Sequence, residues 1–138
     1  MAPKWLTVVM VTHLHGLSIA RFGGEPGLRD LGLLESALDR PRNLLAYGDA
    51  PPIHALAAAY CSGIVRNHPF IDGNKRAGVV AATAFLGLNG YRFSPDEAEV
   101  VQVIMALAAG ELDDAALAQW IAEHTVPADD NTDGKPRD

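Results

Sequence analysis

Two helical patterns separated by a short polar loop, within residues 53–88, constrain the fold of this chain most strongly. In the first pattern apolar residues recur with the spacing of one helix face, at positions 53, 57, 60, 61 and 64. This helix must end before Pro69, because proline disfavours helical dihedrals at the residue that precedes it. The second begins near Asn74 or Lys75, and its residues 79–88 are apolar on nearly every side. Such a pattern is typical of a helix at the centre of a bundle.

The other helices are indicated by residues that favour helix ends. Side chains able to cap a first turn stand at Thr7, Asp30 and Asp113. The sequence SPDE at residues 94–97 has the form of a capping box with proline at the first helical position. Five or six helices without a convincing sheet predict an all-α fold, a compact bundle around a buried central helix.

The ends of the first two helices are also predicted. The first is expected to stop at Gly23, since glycine favours the residue that follows a helix. The second is expected to end near Arg40 and Pro41. Residues 41–52 contain three prolines and a glycine, so they predict a long irregular connection.

Composition limits the possible classes of protein. The chain has 138 residues, a formal net charge of −6 and one cysteine, Cys61. The acidic excess argues against a surface that coats nucleic acid, and one cysteine excludes an internal disulfide framework. The longest apolar run, residues 79–88, is too short for a membrane span, which needs about 20 residues. We therefore expect a cytoplasmic protein with one domain at residues 1–126 and a disordered acidic tail at residues 127–138.

The loop itself, NHPFIDGNKR at residues 67–76, carries the residues most suited to chemistry. A helix that begins here presents free N–H groups and the positive end of its dipole, which together favour an anion. Gly73 allows close approach of the backbone to a ligand. Lys75 and Arg76 add two cations, which the dipole opposes unless an anion is bound. The start of this helix is therefore a candidate phosphate site.

Two further loop residues could complete a reactive site. His68 is a potential general base, and Asp72 is a carboxylate able to hold Mg²⁺. Each also has a plainer interpretation, with His68 as a loop residue, Asp72 as a turn residue and Asn74 as a helix cap. Phe70 is expected to be an apolar plug. Taken together, the set favours transfer of a phosphate group to a hydroxyl.

These residues resemble the signature of the Fic/Doc superfamily, and specifically of its Doc (death-on-curing) branch. The likeness lies in HPFIDGNKR at residues 68–76, RFGGEPGLRD at 21–30, GLLESAL at 32–38, Arg66, and LNGY at 88–91. It thus covers residues 5–125 in order, and it implies the compact Fic/Doc-like helical bundle.

The resemblance also implies roles for individual residues, with ATP and Mg²⁺ as cofactors. His68 matches the general base that takes a proton from the target's hydroxyl. Asp72 matches the acidic residue that positions Mg²⁺ on nucleotide phosphates. The residues expected to bind the nucleotide and its phosphates are Gly73, Asn74, Lys75, Arg76 and Arg66.

Two departures from the wider Fic pattern HPFx[DE]GNGRxxR bear on the activity. Lys75 stands at the second glycine and Val79 at the final arginine, positions with which AMP-transferring Fic enzymes hold phosphates. Doc-type proteins share the NKR form and resemble kinases that phosphorylate a threonine of elongation factor Tu, arresting translation. A Doc-like serine/threonine phosphotransferase is therefore favoured. An AMP transferase and a catalytically idle binding module remain the alternatives.

Regulation by a second chain is implied in the same way. Some Fic proteins restrain themselves through a helix with the motif [ST]xxxE[GN], which this sequence lacks. Doc-like toxins resemble proteins neutralised by a Phd-type antitoxin whose disordered end folds on the toxin, and a helical bundle offers grooves for such a segment. We expect no nucleic acid and no membrane as partners.

Residues outside the loop are expected to be less informative. His13 and His15 are two positions apart and cannot share a helix face, which favours a structural or solvated role. Cys61 falls on the apolar face of its helix and is expected to be core. Arg40, Arg42 and Asn43 are interpreted as solvated, with a flap that docks the target as the alternative.

Overall fold

Helices make up most of the described part of the chain. The structure, a computed structural model, describes residues 2–128, and within that range it has six helices and two short strands. They are α1 (Val8–Phe22), α2 (Leu31–Tyr47), α3 (Ile53–Asn67), α4 (Asn74–Leu88), β1 (Tyr91–Phe93), α5 (Glu97–Ala108), α6 (Asp114–Glu123) and β2 (Thr125–Pro127). The predicted all-α bundle is confirmed. No helix within residues 2–128 is both long and apolar enough to cross a membrane.

Helix α3 lies at the centre of the bundle. Every residue from Leu56 to Val65 is buried, and α2, α4, α5 and α6 all pack against this helix. The sequence pattern placed the central helix at residues 79–88 of α4, but Thr83 and Leu88 in that segment are exposed. That prediction was wrong because the side-chain size of a helix, as well as its polarity, decides whether the helix can lie at the centre of a bundle. The alanine-rich α3 lets its neighbours approach closely on every side.

Two glycines mark the closest of these approaches. A Cβ added to Gly78 of α4 would lie 2.8 Å from Val65 Cγ2 and 2.9 Å from the Cys61 carbonyl oxygen. A Cβ on Gly63 would lie 3.3 Å from the Ala37 Cα in α2. Cys61 is buried as expected, and desolvation raises the pKa of its thiol to about 12. The tight contact between α3 and α4 holds both ends of the connecting loop.

The predicted helix caps are confirmed by hydrogen bonds. Thr7 Oγ1 accepts from the Met10 N–H at 3.2 Å, and Asp30 Oδ1 accepts from the Leu33 N–H at 2.9 Å. Asp113 Oδ1 accepts in the same way from the third residue after it, at 2.8 Å. These bonds satisfy N–H groups that have no partner within a helix.

Helix α2 continues through the proline that was expected to end it. Pro41 is buried inside the helix, which runs on to Tyr47, so the irregular connection predicted for residues 41–52 is reduced to residues 48–52. Proline in a helix interior lacks an N–H and crowds the preceding turn, at a cost of about 3 kcal/mol. Packing of one apolar face against α3 offsets this cost; its buried members are Leu34, Ala37, Leu38 and Pro41.

Helix α5 begins later than the capping box predicts. Asp96 is its N-cap and Glu97 its first residue, and no side chain within the described range caps this end. Ser94 instead continues the extended path of β1, where its N–H donates to the His124 carbonyl at 3.0 Å. Strand β1 pairs antiparallel with β2, with Arg92 opposite Val126, a small sheet that the sequence did not predict.

This sheet includes the first residue of the predicted tail. Pro127, where the tail was expected to begin, pairs with Tyr91 in the sheet, and the Ala128 N–H donates to the Gly90 carbonyl at 2.9 Å. These two residues of the predicted tail take part in backbone pairing, and the division of the chain into a domain and a tail stays a prediction. The remainder of the predicted tail, residues 129–138, lies outside the described residues.

Candidate functional site

The loop between α3 and α4 has a left-handed residue at each end. His68 ends α3 with φ 55° and ψ 53°, and its N–H still donates to the Ile64 carbonyl at 3.1 Å. Gly73 precedes α4 with φ 74° and ψ 22°. A left-handed conformation is unfavourable for a residue with a side chain and persists only where the surroundings enforce it. His68 is exposed, so its imidazole is accessible at this turn.

Asn74 holds the loop to the start of α4. Its side-chain Oδ1 accepts from the Phe70 N–H and its Nδ2 donates to the Phe70 carbonyl, both at 2.9 Å. Asn74 is 4% exposed and Phe70 is fully buried, so Phe70 is the apolar plug that was expected. Because both ends of the Asn74 amide are engaged, its backbone N–H is the group left to meet a ligand.

Residues 24–30, which link α1 to α2, pair with the loop like an added strand. The Ile71 N–H donates to the Gly27 carbonyl at 3.0 Å, and the Arg29 N–H donates to the Pro69 carbonyl at 2.7 Å. Between these bonds, Leu28 forms an antiparallel bridge with Phe70. The loop is thus supported along its backbone.

Arg29 also fixes the backbone beneath the candidate base. Its Nε donates to the His68 carbonyl at 2.8 Å and its Nη2 to the Asn67 carbonyl at 3.1 Å. A cation at the carbonyl end of a helix satisfies free acceptors and suits the helix dipole. Sequence reasoning used Arg29 only as part of the resemblance and missed this contact.

Asp72 is an anion held by backbone N–H groups. Its Oδ2 accepts from the Glu25 N–H at 3.0 Å, and its Oδ1 accepts from the Gly73 N–H at 2.8 Å. These two bonds, with smaller contributions from His15 and His68, hold the pKa of the carboxyl below its usual value. Gly24 makes room for this group, because a Cβ there would lie 2.9 Å from Asp72 Oδ2.

His15 of α1 lies buried beneath the loop, so of the two roles expected for it, structural or solvated, it has the structural one. Its Nε2 lies 2.8 Å from the Asp72 carbonyl oxygen, and its ring stacks on Phe70 with centroids 3.8 Å apart and planes 4° apart. The sequence held a signal for its burial. Val11, His15 and Ser18 recur at helical spacing and form the buried face of α1.

The start of α4 supplies positive charge. No side chain within the described range caps this end, so the first N–H groups of the helix are available to an anion. Lys75 is exposed beside them. Arg76 packs its guanidinium 4.4 Å from the centroid of the Phe22 ring and donates to Glu97 at 2.6 Å. Glu97, expected to cap α5, is therefore the counter-charge of Arg76.

Arg66 is not brought to the loop with the other expected residues. Its guanidinium pairs with Asp114 at 3.0 Å and donates to the Leu112 carbonyl at 3.3 Å, so it is held at the start of α6. Asp114 also accepts from Arg40 at 2.8 Å and from Ser62 at 3.1 Å. This network ties α2 and α3 to α6, and the nucleotide contact of Arg66 stays a prediction.

An apolar cleft opens between the start of α4 and α5. Its volume is about 280 Å³, and it is lined by Gly73, Lys75, Arg76, Val79, Val100, Val101, Ile104 and Met105. The cationic residues lie at one side and aliphatic side chains cover the rest. Such a cleft suits a ligand with an anionic part and a flat apolar part. Val79 contributes an aliphatic surface where the wider Fic pattern has an arginine.

The donor groups of the loop suit Mg²⁺ better than they suit a metal ion that is bound by protein side chains alone. Within residues 2–128 no group of three or more His, Cys, Asp or Glu side chains could hold a metal ion. Asp72 offers one exposed, ionised carboxylate. Mg²⁺ in phosphate-transferring sites is usually held by one or two carboxylates together with phosphate oxygens and water, so a single carboxylate beside an anion site fits it.

Comparisons with known proteins agree on one family. Residues 5–86 match the family model described as the Fic/DOC family. The chain is 32% identical over 108 residues to a protein of Escherichia phage P1 named "Protein kinase doc", covering 78% of this chain and 85% of that protein. It is 43% identical over 76 residues to "Toxin Doc" of Mycolicibacterium smegmatis (strain ATCC 700084 / mc(2)155), covering 54% of this chain and 58% of that protein.

Proposed function

This chain belongs to the Fic/DOC family, and we propose that it is the toxin of a toxin–antitoxin system that acts as a protein kinase. Its relatives support a Doc toxin-type function and a kinase-like enzyme. The finer proposal is transfer of a phosphoryl group from ATP to a serine or threonine hydroxyl of a translation factor like elongation factor Tu. The proposed consequence is arrest of translation in the cytoplasm.

One observation carries the proposal. The ionised carboxylate of Asp72 and the uncapped start of α4, with Lys75 and Arg76, are adjacent on one loop. His68 stands at the other end of the same loop, four residues before Asp72, with its side chain exposed. A base, a carboxylate and an anion site are what phosphoryl transfer requires of a protein, because its catalysis is mostly positioning and neutralisation of charge.

His68 would act as the general base. Its exposed imidazole would accept the proton of the target's hydroxyl as that oxygen attacks the γ-phosphorus and ADP leaves. The carbonyl of His68 is held by Arg29, so the backbone that carries the base is fixed before the target arrives.

Asp72, Lys75 and Arg76 would hold the phosphates. ATP supplies the phosphoryl group, and Mg²⁺ neutralises phosphate charge when both are bound. Asp72 would bind the metal ion, and the first N–H groups of α4 with Lys75 would bind phosphate oxygens. Arg76 already shares its charge with Glu97, so a phosphate would compete with that carboxylate for the guanidinium.

The apolar cleft would accommodate the nucleoside. Aliphatic residues of α5, among them Val100 and Ile104, face the start of α4 across it, and a flat base can bind to such a surface. The aliphatic side chain of Val79 leaves AMP transfer without the second arginine of the Fic pattern, which supports γ-phosphoryl transfer.

The proposed partners are a Phd-type antitoxin and elongation factor Tu as target. The support is the relatives' names, one of which is "Toxin Doc", together with the absence of [ST]xxxE[GN] from the sequence. Neutralisation by a separate chain accounts for a toxin without an inhibitory motif of its own.

Incubation with elongation factor Tu and ATP labelled separately in the γ- and α-phosphates tests the activity. Label transferred only from the γ-position supports the kinase. Label from the α-position would instead identify an AMP transferase. No transfer from either position, with the protein folded and free of antitoxin, would indicate a binding module.

A further inference from the structure

His15 is buried beneath the loop although it lies far away in the sequence. It belongs to α1, 57 residues before Asp72, and is 4% exposed. Its ring stacks flat on Phe70, which fixes the plane of the imidazole. Its Nε2 lies 2.8 Å from the Asp72 carbonyl oxygen. A carbonyl can only accept a hydrogen bond, so Nε2 carries a hydrogen and donates.

This hydrogen bond fixes the direction of one peptide group. In a trans peptide the C=O of one residue and the N–H of the next point in opposite directions. When His15 holds the C=O of Asp72 on the inner side, the N–H of Gly73 must point outward. There it donates to Asp72 Oδ1 at 2.8 Å. One buried donor therefore sets the peptide that connects the carboxylate to the start of α4.

The peptide between Asp72 and Gly73 lies close to helix α1. A Cβ added to Gly73 would lie 3.0 Å from Ile19 Cδ1 and 3.6 Å from His15 Nε2. The left-handed Gly73 thus lies directly against α1. Without the His15 donor, the Asp72 carbonyl would be left without its buried partner, and rotation of the peptide would turn the Gly73 N–H away from the carboxylate.

We propose that His15 is a positioning residue, which orients the Asp72–Gly73 peptide and through it aims the Asp72 carboxylate at the metal ion on the phosphates. It does not touch substrate. This inference rests on the proposed function for the role of Asp72, but the orientation itself is a property of the protein without any ligand.

Two substitutions at His15 separate the hydrogen bond from the packing. His15→Phe keeps a flat ring against Phe70 but removes the donor, whereas His15→Gln keeps a donor at about the reach of Nε2 but loses the ring. His13→Phe, at an exposed position of the same helix, is the matched control. Outer-shell partners of metal-binding residues typically contribute about 10–100-fold in affinity or activity.

The enzymatic readout is phosphoryl transfer at varied Mg²⁺ and target concentrations. For His15→Phe we expect the Mg²⁺ concentration for half-maximal transfer to rise about tenfold or more, with kcat lowered and the KM for the target protein unchanged. His15→Gln should recover part of the loss, and His13→Phe should match the unsubstituted protein. A wild-type Mg²⁺ requirement in folded His15→Phe, or an equal loss in folded His15→Gln, would overturn the proposal.

A second readout needs no activity and no ligand. In ¹⁵N-edited spectra of the metal-free protein, at a pH where the ring is neutral, His15 should carry its hydrogen on Nε2. The Gly73 amide resonance should move in His15→Phe but stay in place in His13→Phe. A hydrogen on Nδ1 instead of Nε2, or an unmoved Gly73 resonance, contradicts the positioning role. If the protein transfers no phosphoryl group at all, the proposed function fails, while these spectra still decide the role of His15.

Discussion

The side-chain amide of Asn74 forms two hydrogen bonds with the backbone of Phe70, one as acceptor and one as donor, each 2.9 Å long. The pair closes the loop against the start of α4 and keeps Phe70 buried. In this family a residue at this position is expected to serve nucleotide binding. Here both polar atoms of its side chain bond the backbone of Phe70 and stabilise the loop.

Removal of this amide should destabilise the protein. Asn74→Ala leaves the buried N–H and C=O of Phe70 without partners, and an unsatisfied buried polar group costs about 1–3 kcal/mol. We expect the free energy of unfolding, measured by urea denaturation, to fall by that amount. Asn43→Ala, at an exposed position of α2, should leave it nearly unchanged. Equal stability of the two variants would show that the Asn74 bonds contribute nothing.

The base can be tested without disturbing the left-handed turn. Asparagine tolerates left-handed dihedrals better than most residues, so His68→Asn should keep the loop while removing the imidazole. We expect the rate of phosphoryl transfer to fall about a hundredfold or more, with an unchanged melting temperature. His13→Asn is the control. Undiminished transfer by His68→Asn would show that another group accepts the proton.

Asp72 should determine the Mg²⁺ dependence. Asp72→Asn removes the charge but keeps a side chain of the same shape, so we expect half-maximal transfer to require more Mg²⁺. Asp49→Asn, at an exposed loop position, should behave like the unsubstituted protein. A metal titration that is identical for both variants would argue against Asp72 as the Mg²⁺ ligand.

The ionisation of Asp72 gives a prediction for the effect of pH. The Glu25 and Gly73 N–H groups hold its pKa below the usual 3.8, so its bonds stabilise the loop fully above pH 3.8. This stabilisation is lost as the pH falls through the lower pKa of the folded state. A ¹³C titration of the Asp72 carboxyl should have its midpoint below 3.8. A midpoint at or above 3.8 would mean that these N–H groups do not hold the carboxylate.

The contact between α3 and α4 can be tested with two glycines on one helix. Gly78→Ala would place a Cβ 2.9 Å from the Cys61 carbonyl, and such overpacking costs about 1–3 kcal/mol. Gly87→Ala meets nothing within 4 Å and should stabilise α4 by about 0.5–1 kcal/mol. The melting temperature should therefore fall in Gly78→Ala and rise in Gly87→Ala. A shift of the same sign in both would contradict the close approach at Gly78.

Features that depend on neighbouring residues could be predicted from the sequence. The cap formed by Thr7 and the break between α3 and α4 at Pro69 follow from local chemistry. The start of α5 was misplaced because pairing with the backbone of His124 takes Ser94 away from the helix. That pairing joins distant residues and leaves no local signal.

The residues of the candidate site likewise fall into those that could be predicted from the sequence and those that could not. The residues that would do the chemistry lie on one loop and could be found by their types and spacing. The residues that hold the loop in place come from elsewhere, because the Arg29 contact with His68 spans 39 residues and the His15 contact with Asp72 spans 57. For His15 the sequence left a structural and a solvated role open, since spacing alone does not show what packs against a helix face.

We propose above all that this loop catalyses the transfer of a phosphoryl group to a protein hydroxyl. Intact-mass analysis of elongation factor Tu, after incubation with this protein, ATP and Mg²⁺, tests it most directly when the same reaction is run with His68→Asn. We expect a gain of one phosphoryl group on a serine or threonine with the unsubstituted protein and almost none with the variant. A gain of an AMP group, or an unchanged mass with folded, antitoxin-free protein, would contradict it.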